Sequence, residues 1–164
     1  PSDVDWVRHT VAKMRANLPD LVIRTTFIVG FPGESEHSFQ VLKDFIEEMQ
    51  FDHVGVFTYS IENGTPAQIL GDPIPQEVKE ARRQELMTLQ VGISYQKNQK
   101  LCGKVLNMLI EGVDQDNGIL IGRTYRDAPE IDGLVIAEGT GEVGELLPVR
   151  ITAAMQHDLF GQVL

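Results

Sequence analysis

Gly30-Phe31-Pro32-Gly33-Glu34 is the stretch of this chain whose residue types best suit ligand chemistry. Glycines let a backbone approach a bound molecule closely, Pro32 stiffens the bend, and Ser35 opens a helix whose first N–H groups can meet a negative group. Ahead of the turn, Leu21 to Val29 is β-branched and mostly apolar, the composition of a strand covered on both faces. A turn at the carboxyl end of such a strand is where parallel α/β folds bind ligands. A second candidate group is Tyr59, Ser60 and Thr65, which follow another apolar run and so belong at the same end of the fold. Catalytic, substrate-positioning and loop-capping roles all suit them. A third is the dense polar set Arg123, Tyr125, Arg126, Asp127, Glu130 and Asp132. It suits docking of a basic protein, or a solvated hairpin in which Pro129 and Gly133 set the turn and Asp127 or Asp132 caps it.

Metal and nucleophile chemistry have no comparable cluster. Cys102 is the single cysteine and reads as a small structural residue, while His9, His37, His53 and His157 show no ligand spacing.

The elements that must position these groups change character along the chain. Ser2 can cap a first helix with Asp5 in the capping-box position, and Trp6, Thr10, Met14 and Leu18 form its apolar stripe up to Pro19-Asp20. After the strand ending at Val29, Ser35 caps a second helix with Phe39, Leu42, Ile46 and Met49 at 3–4 spacing. Val54 to Tyr59 is a second strand. A long third helix starts near Gln76, where Glu77, Glu80 and Glu85 among Lys79, Arg82 and Arg83 describe a solvated face. Crossovers of this length predict parallel pairing. From about residue 96 the texture becomes five short β-type runs, Leu101–Glu111, Ile119–Gly122, Leu134–Glu138, Leu146–Ala153 and Asp158–Leu164, separated by turn-rich segments. That pattern predicts a small barrel of the oligonucleotide-binding type.

Composition bounds the partners. The 164 residues are 42% apolar, enough for a real core, with no run of about 18 apolar residues that would predict a membrane span. The net charge is −10, from 8 basic and 14 acidic residues up to position 95 and 6 and 10 after it. An acidic balance opposes nonspecific nucleic-acid binding, which rests on basic contacts to phosphate, and favours a basic partner or simple solubility. A lone cysteine and no leader suggest a cytoplasmic protein, and a start at Pro-Ser-Asp without Met suggests an excised fragment.

Two motif groups carry a family resemblance across essentially the whole chain. Arg24–Glu34 (RTTFIVGFPGE) and Phe57–Ala67 (FTYSIENGTPA) resemble the later part of the radical S-adenosylmethionine barrel of methylthiotransferases. Gly122–Gly133 (GRTYRDAPEIDG), with Pro148–Thr152 and Asp158–Gly161, resembles the TRAM domain at the carboxyl end of the same family. One branch of the family modifies tRNA and another an aspartate of a small-subunit ribosomal protein; His53–Ser60 (HVGVFTYS) and Ala128–Gly133 (APEIDG) are closer to the second.

The resemblance implies a truncated TIM-like α/β barrel over residues 1–95 followed by a five-stranded OB-like TRAM barrel over 96–164. It implies S-adenosylmethionine and two 4Fe-4S clusters in the parent enzyme, the clusters held by upstream cysteines of a Cys-x3-Cys-x2-Cys motif and a further domain. Those ligands are not in this chain, so the fragment alone is expected to be inactive. Ile28, Gly30, Phe31, Pro32, Gly33 and Glu34 would border the nucleoside pocket; Glu34 stands one place later than the acidic residue of the common Gly-x-Ile-x-Gly-x-x-Glu form. The substrate implied is a basic small-subunit ribosomal protein, with tRNA as the alternative and no membrane partner. A reading of another class is a non-catalytic TRAM-based binding module.

Overall fold

Helix and strand alternate through the first half of the chain, and strands alone build the second. The computed structural model describes residues 3–164. The order is α1 (Val4–Asn17), β1 (Arg24–Val29), α2 (Glu36–Met49), β2 (His53–Thr58), a short 3-10 turn (Pro66–Leu70) and α3 (Gln76–Gln99). Strands β3 (Val105–Asp114), β4 (Ile119–Arg123), β5 (Val135–Glu138), β6 (Leu146–Ala154) and β7 (Leu159–Val163) follow. Two compact units divide within α3, one running to Gln90 and the other Val91–Leu164.

In the first unit, β1 and β2 pair in parallel, from Arg24 opposite His53 to Val29 opposite Thr58. One face of this ribbon is apolar and covered: Val29, Val54 and Val56 are buried, and the rings of Phe27, Phe45 and Phe51 meet at centroid distances of 5.9–6.4 Å. The other face is open. Ile28 and Phe57, direct register partners, are 57% and 62% exposed. A strand covered on both faces was the expectation for this segment, and it does not hold, because the helices pack on one side only.

Helix α2 follows the expected stripe. Ser35 caps it, its hydroxyl accepting from the Ser38 amide at 3.1 Å, and Phe39, Ile46 and Met49 are buried. Helix α1 departs from expectation. The proposed cap Ser2 lies outside the described residues, and Asp3 caps the helix by accepting from the Asp5 amide. Trp6, Met14 and Leu18 are 56%, 41% and 54% exposed, whereas Val11 is buried. Arginines set this docking: Arg8 binds Glu48, and Arg15 donates to the carbonyls of Met49 and Gln50 at 2.6 and 2.9 Å. Positive charge on the final carbonyls of α2 also complements its dipole.

The buried face of α3 is Lys79, Arg82, Leu86, Gln90 and Ile93, a single 3.6-residue stripe. The expectation of a solvated charged face therefore fails at Lys79 and Arg82, which are 1% and 8% exposed. Glu80 and Arg83 do form an exposed pair on the opposite side.

The second unit is a closed barrel in the order β3-β4-β5-β7-β6. All neighbours are antiparallel except β5 and β7, which run parallel. Strand β3 supplies two neighbours in turn: Val105–Leu109 pairs β6, and Leu109–Asp114 pairs β4 across a bulge between Ile110 and Gly112. A second bulge interrupts β6 between Ile151 and Ala153. Bulges bend strands, and bending closes a small barrel. Alternate residues point inward: Met108, Ile110, Leu120, Val135, Ala137, Val149, Ile151 and Leu159 form the core. The first run begins later than expected, since 101–103 is a turn in which Cys102 lies exposed.

The β3–β4 turn is held by Asp114, whose carboxylate accepts from the Asn117 side-chain amide at 2.8 Å and its backbone N–H at 3.2 Å. The Asn117 side chain, then its backbone amide, keeps this carboxyl below the ordinary aspartate range. A carboxyl with a depressed folded pKa adds stability above its unfolded pKa and loses it as pH falls through the folded value. Asn117→Ala should therefore move the Asp114 titration midpoint upward when followed by carboxyl NMR; an unmoved midpoint contradicts the assignment.

Candidate functional site

The carboxyl ends of β1 and β2 bring two of the expected groups together. After Val29 the chain turns through Gly30 at φ +77° and Gly33 at φ +93°, conformations that favour glycine. The Glu34 amide donates to the Phe31 carbonyl at 2.9 Å, closing the turn. On the neighbouring strand end, the Tyr59 amide donates to the Val29 carbonyl at 2.8 Å, and the Tyr59 ring meets Phe31 edge-on at 5.2 Å. Tyr59 is buried, and its hydroxyl donates to the Ala67 carbonyl at 3.3 Å. Ser60 is exposed beside it. Thr65 stands apart, at the start of the 3-10 turn, where its hydroxyl donates to the Glu62 carbonyl at 2.9 Å.

Two cations from α3 hold this arrangement from beneath. Lys79 Nζ donates to the Tyr59 carbonyl at 2.9 Å and to Asp72 Oδ2 at 2.6 Å, and lies 5.7 Å from the Tyr59 ring centroid. Arg82 donates to Glu34 Oε1 at 2.7 Å, and the same oxygen accepts from the Gly30 amide at 3.0 Å. The Arg82 guanidinium also lies 5.3 Å from the Phe39 ring centroid. Both cations are desolvated, so these charge-assisted bonds carry more weight than the exposed pairs elsewhere.

The two glycines thus do different work. A Cβ on Gly30 would sit 2.7 Å from Lys79 Cδ and closer still to Cγ, whereas nothing lies within 4 Å of one on Gly33. Gly30 admits the lysine stem; Gly33 leaves open space. Phe31 is 43% exposed, and Ile28 faces the open side of the ribbon. Ile28, Phe31 and Gly33 are all accessible to solvent at this strand end. The Glu34 carboxylate is directed into the protein and acts as scaffold, with Pro32 half-buried between the glycines.

Sequence reasoning missed Lys79, Arg82 and Asp72. Leu86 and Ile93 mark the inner face of α3, and positions 79, 82 and 90 fall on it by helical spacing, a signal masked by their polarity.

In the second unit the expected polar set divides among internal partners. Arg123 donates to Glu111 at 2.7 Å, and Arg126 reaches Asn98 at 3.4 Å. Asp127 accepts from the Thr124 amide and hydroxyl at 3.1 and 2.8 Å, and Asp132 from the Ala128 amide at 2.7 Å. Tyr125 is 61% exposed, and Glu130 is exposed at φ +61°. Asp127 and Asp132 cap turns, while Tyr125 and Glu130 face outward.

Among the described residues no group of three or more His, Cys, Asp or Glu is placed to hold a metal ion. With a single, exposed cysteine, the residues of this chain do not fit an iron–sulfur cluster. Also among the described residues, no helix is long and apolar enough to cross a membrane.

A closed five-stranded barrel with this connectivity defines the class of the second unit, and residues 102–164 match the TRAM domain family. The whole chain is similar to proteins called ribosomal protein uS12 methylthiotransferase RimO. It is 49% identical to that of Roseiflexus sp. (strain RS-1) over 167 residues, covering 100% of this chain and 35% of the relative. It is 50% identical to that of Synechococcus sp. (strain JA-2-3B'a(2-13)) over 156 residues, 95% of this chain and 33% of the relative. For the relative from Thermus thermophilus the identity is 49% over 154 residues, 93% of this chain and 35% of the relative. The chain thus spans about a third of the length of the curated relatives it matches, and it resembles their carboxyl-terminal part.

Proposed function

We propose that this chain is the carboxyl-terminal part of an enzyme that adds a methylthio group to the β-carbon of an aspartate on ribosomal protein uS12. The observation that carries this reading is the identity of about half its residues, over the full chain, with relatives bearing that name. Two structural features support it. A parallel ribbon with helices on one face and Ile28 and Phe57 bare on the other suits a wall of a larger parallel α/β barrel, whose interior lies opposite its helices. The second unit carries 6 basic and 10 acidic residues, a balance suited to a basic protein substrate rather than tRNA.

In this reading S-adenosylmethionine, when bound, supplies the radical chemistry at the substrate β-carbon. The part of this chain is to shape one wall of that pocket. Ile28, Phe31 and Gly33 present the apolar surface, Ser60 the neighbouring hydroxyl, and Gly30 and Glu34 keep the turn in shape. The TRAM barrel docks the substrate through the outward side of the 124–133 segment, with Tyr125 and Glu130 at its surface.

The test is the full-length protein, reconstituted with its clusters and offered S-adenosylmethionine with either uS12 or tRNA. Mass spectrometry should find one methylthio group on a uS12 aspartate; modified tRNA beside unmodified uS12 overturns the reading. Docking has its own measurement. Glu130→Lys should weaken uS12 binding by about threefold to tenfold at low ionic strength, mainly through the association rate. Its thermal midpoint should match the parent protein, and unchanged affinity at low salt removes this loop from the interface.

A further inference from the structure

We infer that Asp72 and Lys79 form a latch, and are positioning residues that hold the loop after β2 against the Gly30 turn so that the strand-end pocket keeps its shape. The ligand in this inference rests on the reading above; the latch rests on geometry alone.

The loop in question, residues 60–72, has little packing to fix it. Its 3-10 turn Pro66–Leu70 buries none of its residues, and Ile69 is 91% exposed. Polar ties do the holding instead. The Tyr59 hydroxyl donates to the Ala67 carbonyl in the middle of the loop, and Asp72 meets Lys79 Nζ at 2.6 Å at its far end. The side chain of Lys79 is 2% exposed and that of Asp72 29%, so the pair is partly shielded from water and salt. Lys79 has a second acceptor in the Tyr59 carbonyl, and its stem passes beneath Gly30. One side chain therefore touches the ends of both strands and the far end of the loop. If Asp72 lets go, the buried ammonium keeps a single carbonyl partner, that of Tyr59 just after β2, and the loop loses its distal anchor. Its neighbour one turn on, Arg82, binds Glu34 and so ties the other loop to the same helix.

The experiment uses the full-length protein in parent form and as Asp72→Ala, with Arg83→Ala as the comparison, since that change breaks an exposed pair on the same helix. Two quantities are read: amide hydrogen exchange across residues 60–71, and the dissociation constant for S-adenosylmethionine by calorimetry. Asp72→Ala should speed exchange in 60–71 while α2 keeps its protection, and should weaken S-adenosylmethionine binding by roughly tenfold, since small displacements of a preorganised site are costly. Arg83→Ala should leave both unchanged. Unaltered exchange in Asp72→Ala overturns the latch. Faster exchange with parent-like affinity overturns the positioning role, as does an equal effect from Arg83→Ala. If the parent protein itself does not bind S-adenosylmethionine, the proposed function falls, and the exchange measurement alone decides the latch.

Discussion

Gly30→Ala is expected to destabilise the first unit by about 3 kcal/mol, roughly 1–2 kcal/mol from the left-handed backbone and the rest from overpacking. At φ +77° an L-residue is strained whatever surrounds it. The added methyl would also fall within contact distance of Lys79 Cγ and Cδ. Lys79 cannot step aside cheaply, because its ammonium is fixed by Asp72 and the Tyr59 carbonyl. Gly33→Ala provides the comparison. It meets the same kind of backbone strain at φ +93° but has no atom within 4 Å, so it should cost only about 1–2 kcal/mol. Thermal unfolding of the two variants in the full-length protein separates the effects. Equal shifts at positions 30 and 33 contradict the idea that Gly30 exists to admit the lysine stem.

Leu120→Ala should cost about 3–5 kcal/mol, the range for emptying a leucine site that cannot collapse. Leu120 is 1% exposed and packs among Met108, Ile110, Val135, Val149 and Ile151, contributed by three other strands of the barrel. A closed barrel is a poor place to relax a cavity, since each stave is hydrogen-bonded on both sides. A unit of this size rarely has more than about 3–5 kcal/mol to lose, so the barrel should open while the first unit stays folded. Methyl NMR signals of Val149 and Ile151 report it: they should collapse toward random-coil positions in the variant. Ile121→Ala, one residue along the same strand and 36% exposed, should cost under about 1 kcal/mol. Similar losses at 120 and 121 would mean that the inward face has been misassigned.

The barrel was the more legible half because its signal is local. Period-two apolar runs between Gly- and Asp-rich turns define strands wherever they pair, and five such runs leave few ways to close. Helix α2 was legible for a similar reason, since Phe39, Leu42, Ile46 and Met49 make one stripe with no rival. Helix α1 offers two stripes. Trp6, Met14 and Leu18 look the more apolar, yet Val11 is buried, because Arg8 and Arg15 bond to the end of α2 and rotate that side inward. Nothing within the helix announces partners some forty residues away. Lys79 and Arg82 failed for the same reason at higher stakes. Their charges read as solvated until Asp72 and Glu34 are placed beside them, and only the fold does that. The Gly30 turn does follow β1 as the sequence pattern implied, but part of its glycine requirement comes from beneath, through Lys79, which the turn's own residues do not reveal.

That last contact makes positions 30 and 79 an epistatic pair. While a lysine occupies 79, a side chain at 30 is costly, and the damage done by Gly30→Ala should shrink once Lys79 is first shortened to Ala. That change removes Cγ and Cδ and leaves the backbone strain and a close contact with Cβ of residue 79 at 3.2 Å. The order in which the two changes are made then matters. Loss of the lysine first opens space at 30 but gives up the tie to Asp72, whereas a side chain placed at 30 first passes through an intermediate that folds poorly. The turn and the helix that supports it are thus bound to change together.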